Sequence, residues 1–292
     1  MIYKKIICLC LILFIFLGVN GCSKENITVI APSGTPAYAT IFMQDYDIDV
    51  VLGSDPLVAA FGAKDYDVII APTNLGAKFY LSSQTYQCLA TIVWGNLFLV
   101  SQSDITFDAL ENLDITAFGQ NQTPDIILNY ILNDQNIHTN ISYLASASEV
   151  LSMFVLNPNG IYLVAEPQFS ILEESYQLNS IDLQDAYKNI TGENAYPQAS
   201  VFVHKDLSQN AIDQIESDIK DSINEMYDEQ NLTKVSEFMQ LDNQIASQVL
   251  ERSNIVYLKA TQIKTDIENY LNLIMSYNSN LINEIPGEDF YR

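Results

Sequence analysis

Tyr66-Asp-Val-Ile-Ile-Ala-Pro-Thr-Asn-Leu-Gly-Ala-Lys78 decides the fold. From Val68 to Ala71 the run is apolar on both alternating faces, which is the pattern of a strand covered on both sides. Pro72-Thr-Asn74 then breaks the strand, and the spacing predicts a helix through Tyr80. The same order precedes it twice. Ile27–Ala31 reads as a strand, followed by Pro32-Ser-Gly-Thr-Pro36 and an apolar-faced segment from Ala37 to Met43. Ile48–Leu52 is a second strand, followed by Gly53-Ser-Asp-Pro56 and a helix to about Ala63. Strand, short loop and helix in repetition predict βαβ units around a mostly parallel sheet. Thr35 before Pro36 and Asp55 before Pro56 each read as a helix N-cap with proline at the first helical position.

Beyond this block, the apolar run Leu89–Val100 is interrupted by Trp94-Gly-Asn96, and the pattern restarts after Ser101. Strands are predicted near Ile115–Phe118, Ile141–Leu144 and Ile161–Ala165. Helices are predicted from Pro124, from Ser148 to about Leu156, and after Glu166-Pro167. Ala199–His204 is a further strand. The remainder reads as helices over Asn210–Gln230, Val235–Gln240, Ile245–Ser253 and Ala260–Ser276. Two α/β units with two chain crossings, near 97–101 and 199–204, predict two lobes with a ligand cleft between them. The expected division is 27–100 with 200–292 as one lobe and 101–199 as the other.

Outward from that body, the N-terminus predicts an address. Lys4 and Lys5 precede an unbroken apolar run, Ile6–Leu17, and Gly21 stands directly before Cys22. Residues 1–21 read as a signal peptide, whose apolar run is too short for a comfortable membrane span of about 20 residues. Cys22 reads as a lipidated N-terminus on a tether at 22–26. The other reading is a plain secretory signal with a chance cysteine. Cys8 and Cys10 leave with the signal, so Cys88 has no intramolecular partner and reads as a buried, inert thiol. The location is therefore extracytoplasmic, on the bacterial cell membrane through lipid at Cys22.

The formal net charge is −23, from 13 Lys and Arg against 36 Asp and Glu. Such a chain is repelled by phosphate backbones, which excludes nucleic acid as a partner. From Asn26 to Tyr187 the only Lys or Arg residues are Lys64 and Lys78. An acidic ligand held there would rest on backbone amides and helix N-termini. His138 and His204 have no neighbour at metal-ligand spacing, so no metal is expected. There is also no phosphate loop, nucleophile elbow or paired-carboxylate signature, and no cofactor or catalytic residue is expected.

Five segments in order resemble one family: Ala31-Pro-Ser-Gly-Thr-Pro-Ala37, Val51-Leu-Gly-Ser-Asp55, Tyr66 to Lys78, Trp94-Gly-Asn-Leu-Phe98, and Ile285-Pro-Gly-Glu-Asp-Phe-Tyr291. They resemble the extracytoplasmic solute-binding proteins of ABC importers, of the nitrate/sulfonate/taurine and thiamine-precursor type. The resemblance implies a type II periplasmic-binding-protein fold, a monomer that closes over a small-molecule solute and then meets an ABC permease in the membrane. The chain departs from the family in being short, very acidic and poor in arginine. That departure favours a neutral or amine-bearing solute, such as a pyrimidine-like ring, over a sulfonate or nitrate.

Candidate ligand contacts follow the strand ends. Ser33, Gly34 and Thr35 offer amides and a hydroxyl in the first loop; Ser54 and Asp55 repeat that geometry, with capping as the other reading for both. By resemblance Thr73 and Asn74 line the cleft. Trp94 and Asn96 present an aromatic plane and an amide, or else Trp94 packs the hinge. Gln120, Asn121 and Thr123 open the first helix of the second lobe and face the solute from the opposite wall, or form a surface loop with Thr123 as a cap. Glu166 is a contact for a cationic or amine-bearing solute, or a first-turn helix carboxylate. Tyr38 stacks on a ligand or packs in the core. Two other functions remain open. One is an enzyme on the same fold, with Glu166 or Asp55 as acid or base. The other is a surface lipoprotein that binds a protein.

Overall fold

The computed structural model describes residues 27–193 and 195–292. The signal segment, Cys22 and the tether lie outside them. The chain folds into two α/β lobes, each built on one sheet.

In the first lobe β1 (Ile27–Pro32), β2 (Tyr46–Val51) and β3 (Val68–Pro72) are joined through α1 (Thr35–Tyr38) and α2 (Asp55–Ala63). α3 (Thr73–Ser83) leads to β4 (Tyr86–Val93). β1 is parallel to both β2 and β3. The sheet has six strands in the order β11-β4-β10-β3-β1-β2, where β10 is Ala199–His204 and β11 is Ile255–Lys259. β10 enters antiparallel between β3 and β4, with Ala199 opposite Pro72 and Val93. Its first residue therefore lies at the carboxyl ends of those neighbours.

The second lobe carries β5 (Leu97–Ser101), β6 (Asp114–Phe118), β7 (Asn140–Leu144), β8 (Ile161–Ala165) and β9 (Asn179–Asp182), in the order β7-β6-β8-β5-β9. Helices α4 (Thr123–Asp134), α5 (Ala147–Leu156), α6 (Gln168–Ser175) and α7 (Leu183–Thr191) belong to it. β6 is parallel to β7 and β8, and β5 is antiparallel to β8 and β9. Leu97–Ser101, expected beside the first crossing, is thus a strand of the second sheet, and the chain passes between sheets at 94–96. The tail holds α8 (Gln209–Met226), α9 (Leu232–Met239), α10 (Asn243–Arg252) and α11 (Lys264–Tyr277).

Three corrections to the sequence reading have physical causes. Thr35 and Asp55 are first helical residues, not caps. Gly34 and Ser54 hold the cap positions, and neither makes a side-chain cap bond. Gly34 sits at φ 92° and ψ −154°, a conformation open essentially to glycine, which frees Thr35 for another partner. Thr123 likewise opens α4 behind Gln122, without capping it. Between the helices expected over Ile245–Ser253 and Ala260–Ser276 lies β11, which the sequence pattern does not predict. Ile255-Val-Tyr-Leu-Lys259 is an edge strand whose side chains alternate across the sheet, with Ile255 buried and Val256 and Leu258 exposed.

Cys88 is buried in β4, and burial pushes its thiol up to about 12, so it is unreactive as expected. A Cβ on Gly76 in α3 would overlap the ring of Phe202, so only glycine lets this helix close on β10. One apolar core runs through both lobes, joining Ile69 and Phe202 of the first to Leu99, Ile115 and Ile127 of the second, with Tyr270 and Ile274 of α11 between. Two smaller cores stay within single lobes, one under α8, α9 and α10, the other under α5 and α6. Among the described residues no helix is long and apolar enough to cross a membrane.

Candidate functional site

The carboxyl ends of β1 and β3 face the β6–α4 connection of the second lobe, and a cavity of about 140 Å³ lies between them. Pro32, Pro36 and Pro72 form one wall and Gln122, Thr123 and Pro124 the other, with Gln198 and Ala199 at the second chain crossing. Pro32 and Pro72 end β1 and β3, and Pro36 and Pro124 stand in the first turns of α1 and α4. Proline is tolerated in a first turn, where its missing N–H has no intrahelical acceptor to lose. The consequence is a cavity half lined by residues that cannot donate from the backbone.

Under this cavity runs a buried polar chain. Asn96 Nδ2 donates to Thr35 Oγ1 at 3.0 Å, and Gln198 Nε2 donates to Asn96 Oδ1 at 3.0 Å. The Oε1 of Gln198 is buried with no partner, and so is the Oδ1 of Asn74. A buried acceptor left unsatisfied costs about 1–3 kcal/mol; Gln248 Oε1 and the hydroxyls of Tyr257 and Tyr291 share that condition without lining the cavity. Thr73, fully buried, shares a hydroxyl bond of 2.8 Å with Ser200, which also pairs with Thr91 at 2.9 Å.

Glu166 adjoins the chain. Its N–H donates to the Asn96 carbonyl at 3.3 Å. Only 3% of the residue is exposed, and its carboxylate accepts from Ser170 Oγ at 3.0 Å and Ser170 N at 3.4 Å. Burial pushes this carboxyl up to about 7, and the Ser170 contacts and the Arg252 charge hold it from rising further. Burial, with the Glu166 charge beside it, also raises the phenol of Tyr38 far above its ordinary value. Arg252 of α10 crosses from the first lobe. Its Nη2 meets Glu173 at 2.7 Å, its Nη1 donates to Ser170 Oγ at 3.3 Å, and its guanidinium lies 4.9 Å from the Phe169 ring centroid.

Of the residues singled out from sequence, Thr35, Asn96, Glu166 and Tyr38 come together, with Thr123 on the opposite wall and Thr73 and Asn74 beneath. Thr123 Oγ1 shares a bond of 2.8 Å with the hydroxyl of Tyr270 in α11. Gln120 and Asn121 are exposed at the rim, where the Asn121 amide is held by Asp125 at 2.7 Å. Ser33 is exposed beside the half-buried Gly34, and its amide is taken by Val51 O at 2.8 Å. Ser54 and Asp55 start α2 beyond edge strand β2 and do not line the cavity. Trp94 is buried at the first crossing and donates its ring N–H to Val256 O at 3.2 Å. Gln198 and Arg252 were missed. Pro197-Gln198 directly before β10 carried a signal, but the crossing had been placed within the strand. Arg252 reaches the site from 86 residues away in sequence and carried none. Among the described residues no group of three or more His, Cys, Asp or Glu could hold a metal ion.

No protein-family model matches the chain, and no curated protein matches it. Solved structures do. An ABC transporter protein from Parabacteroides distasonis superposes with a TM-score of 0.78 at 21% identity, over 91% of this chain and 98% of that one. The ligand-binding component of an ABC-type import system from Staphylococcus aureus, solved with zinc bound, gives 0.72 at 14% identity, over 92% and 97%. The periplasmic aliphatic sulphonate-binding protein of Escherichia coli gives 0.70 at 11% identity, over 92% and 91%. At these identities the likeness is one of fold, and it extends over nearly the whole of each chain.

Proposed function

We propose that the protein is a lipid-anchored solute receptor, which binds a small molecule between its lobes and delivers it to an ABC importer. The observation that carries this reading is the interlobe cavity, with the buried, unpartnered oxygen of Gln198 on its lining. A buried acceptor without a partner costs stability that a donor entering the cavity recovers. The fold shared with ABC-importer binding components supports the same reading. The contacts are Thr35, Asn96, Thr123, Glu166 and Gln198, with Ser33, Gly34, Tyr38, Thr73, Asn74, Trp94, Gln120 and Asn121 around them. The lobes move as units about the crossings, and the solute leaves unchanged. Anchoring rests on Cys22, as the lipobox-like Gly21-Cys22 suggests.

Native mass spectrometry of the purified protein tests this, together with melting and scattering curves across a panel of small solutes. A retained, chemically unmodified solute that raises Tm and contracts the particle is the expected result. Curves unchanged by every solute, with none retained, would remove the receptor reading. A Cys22→Ala variant should appear in the released fraction on membrane fractionation.

A further inference from the structure

A second cavity lies outside the cleft. It is a groove of about 460 Å³ between α4 and α7 of the second lobe and α11, and it shares no residue with the interlobe cavity. Sites for small molecules span roughly 300–1,000 Å³, so its volume suits one. α11 gives the groove a single helical face, Asn269, Asn272, Leu273 and Ser276, at the i, i+3, i+4, i+7 spacing. Tyr130 of α4 and Tyr187 of α7 supply aromatic surface, their ring centroids 6.1 Å apart at 52°. Glu193 also lines the groove, just past the end of α7. Its N–H donates to Thr191 Oγ1 at 3.1 Å, and its Oε1 accepts from Asn269 Nδ2 at 3.2 Å.

Charge here has one sign. No Lys or Arg lines the groove. Asp266 of α11 stands beside Glu193: burial raises its carboxyl, and the Glu193 charge and a hydrogen bond between the two raise it further. Among the described residues neither carboxylate forms an ion pair. Elsewhere the chain lays its own cations on aromatic rings, Lys220 at 4.7 Å from the Tyr257 centroid and Lys234 at 4.0 Å from that of Phe42. Among the described residues Tyr130 and Tyr187 carry none. Unpaired carboxylates beside aromatic faces are satisfied together by an organic cation, through its charge and through the ring quadrupoles. A neutral saccharide would use the rings and amides but gain nothing from the unpaired charge.

We propose that this groove binds a small organic cation, an alkylated ammonium, with Glu193 against its charge and Tyr130 and Tyr187 against its N-alkyl groups. The site is distinct from the solute cleft and does not depend on it.

Titration calorimetry of the purified protein with choline and putrescine tests this, against methyl glucoside and neohexyl alcohol, the uncharged carbon isostere of choline. Choline should bind at least about tenfold more tightly than its isostere. Tyr130→Leu and Glu193→Gln should each weaken it at least about threefold. Neither side chain lines the interlobe cavity, so a cation bound there would leave both variants unaffected. Melting curves close to wild type show that the variants fold, and the nearly isosteric Glu193→Gln keeps the test standing if Tyr130→Leu melts early. No heat from either cation, equal affinity for the isostere, a preference for the glucoside, or choline affinity unchanged in a folded variant overturns the inference.

Discussion

The two flanks of the cleft join the same lobes by different physics. On one side α11 lies against both α3 and α4, and the apolar core is continuous from lobe to lobe. Tyr270 is fully buried there, stacked on Tyr196 with centroids 6.3 Å apart and bonded through its hydroxyl to Thr123. On the other side the cores stop at the lobe boundary, and the bridge is polar. Arg252 reaches the part-exposed Glu173 and the buried Ser170, and Gln244 donates to the exposed Glu174 at 3.2 Å. Separating the first flank would expose core, at about 25 cal/mol per Å². Separating the second exchanges a half-exposed ion pair, worth about 0–1 kcal/mol, for water. The α11 flank is built as a joint, and the α10–α6 flank is held by the weaker, polar contacts.

The strongest way to break this comparison is Tyr270→Ala, which removes a buried ring from the joint. It should cost about 3–5 kcal/mol in urea unfolding, on the scale of buried aromatic truncations. A loss under about 1 kcal/mol would show that α11 is not structural glue. Next in size is Glu166→Gln, on the polar flank. The native carboxyl holds its proton to about 7 against an ordinary 4.5, so the folded state binds more protons across that window. Stability therefore falls as pH rises from 4.5 to 7, by about 3 kcal/mol at 1.36 kcal/mol per pH unit. Paired unfolding curves at pH 4.5 and 8 should show the variant gaining on wild type by that order, and parallel pH profiles would refute it. Arg252→Ala should have the smallest effect, under about 1 kcal/mol and fading at 1 M salt. A cost rivalling Tyr270→Ala would erase the distinction between the flanks.

The same contrast marks what the sequence could reveal. The first sheet was legible because Val29–Ala31 and Val68–Ala71 are apolar on both faces and each is followed by proline and a helix. β9 was not, because Asn-Ser-Ile-Asp carries polar side chains and owes its strand to pairing with β5. β11 owes its strand to β4 in the same way. Thr35, Asn96 and Glu166 were readable as polar residues at strand ends. Their grouping was not, because it depends on Gln198 and Arg252, which reach the site through long-range topology. The cap assignments failed at Gly34, since a glycine at positive φ shifts the helix start by one residue with no change in the residues a pattern would look for.

The two crossings also set how any motion must be organised. Trp94–Asn96 and 195–198 run side by side: Gln198 N bonds Val93 O at 2.9 Å, and Asn254 ties down Gly95 O at 2.8 Å. Two adjacent pins leave one axis of rotation and resist torsion about any other. Displacement grows with distance from that axis, so Asn96 and Gln198, which sit on it, barely travel while the outer rims sweep. In the receptor proposed above, the atoms that read a solute would then be in place before the lobes turn, and the turning would be amplified where it is farthest from the reading.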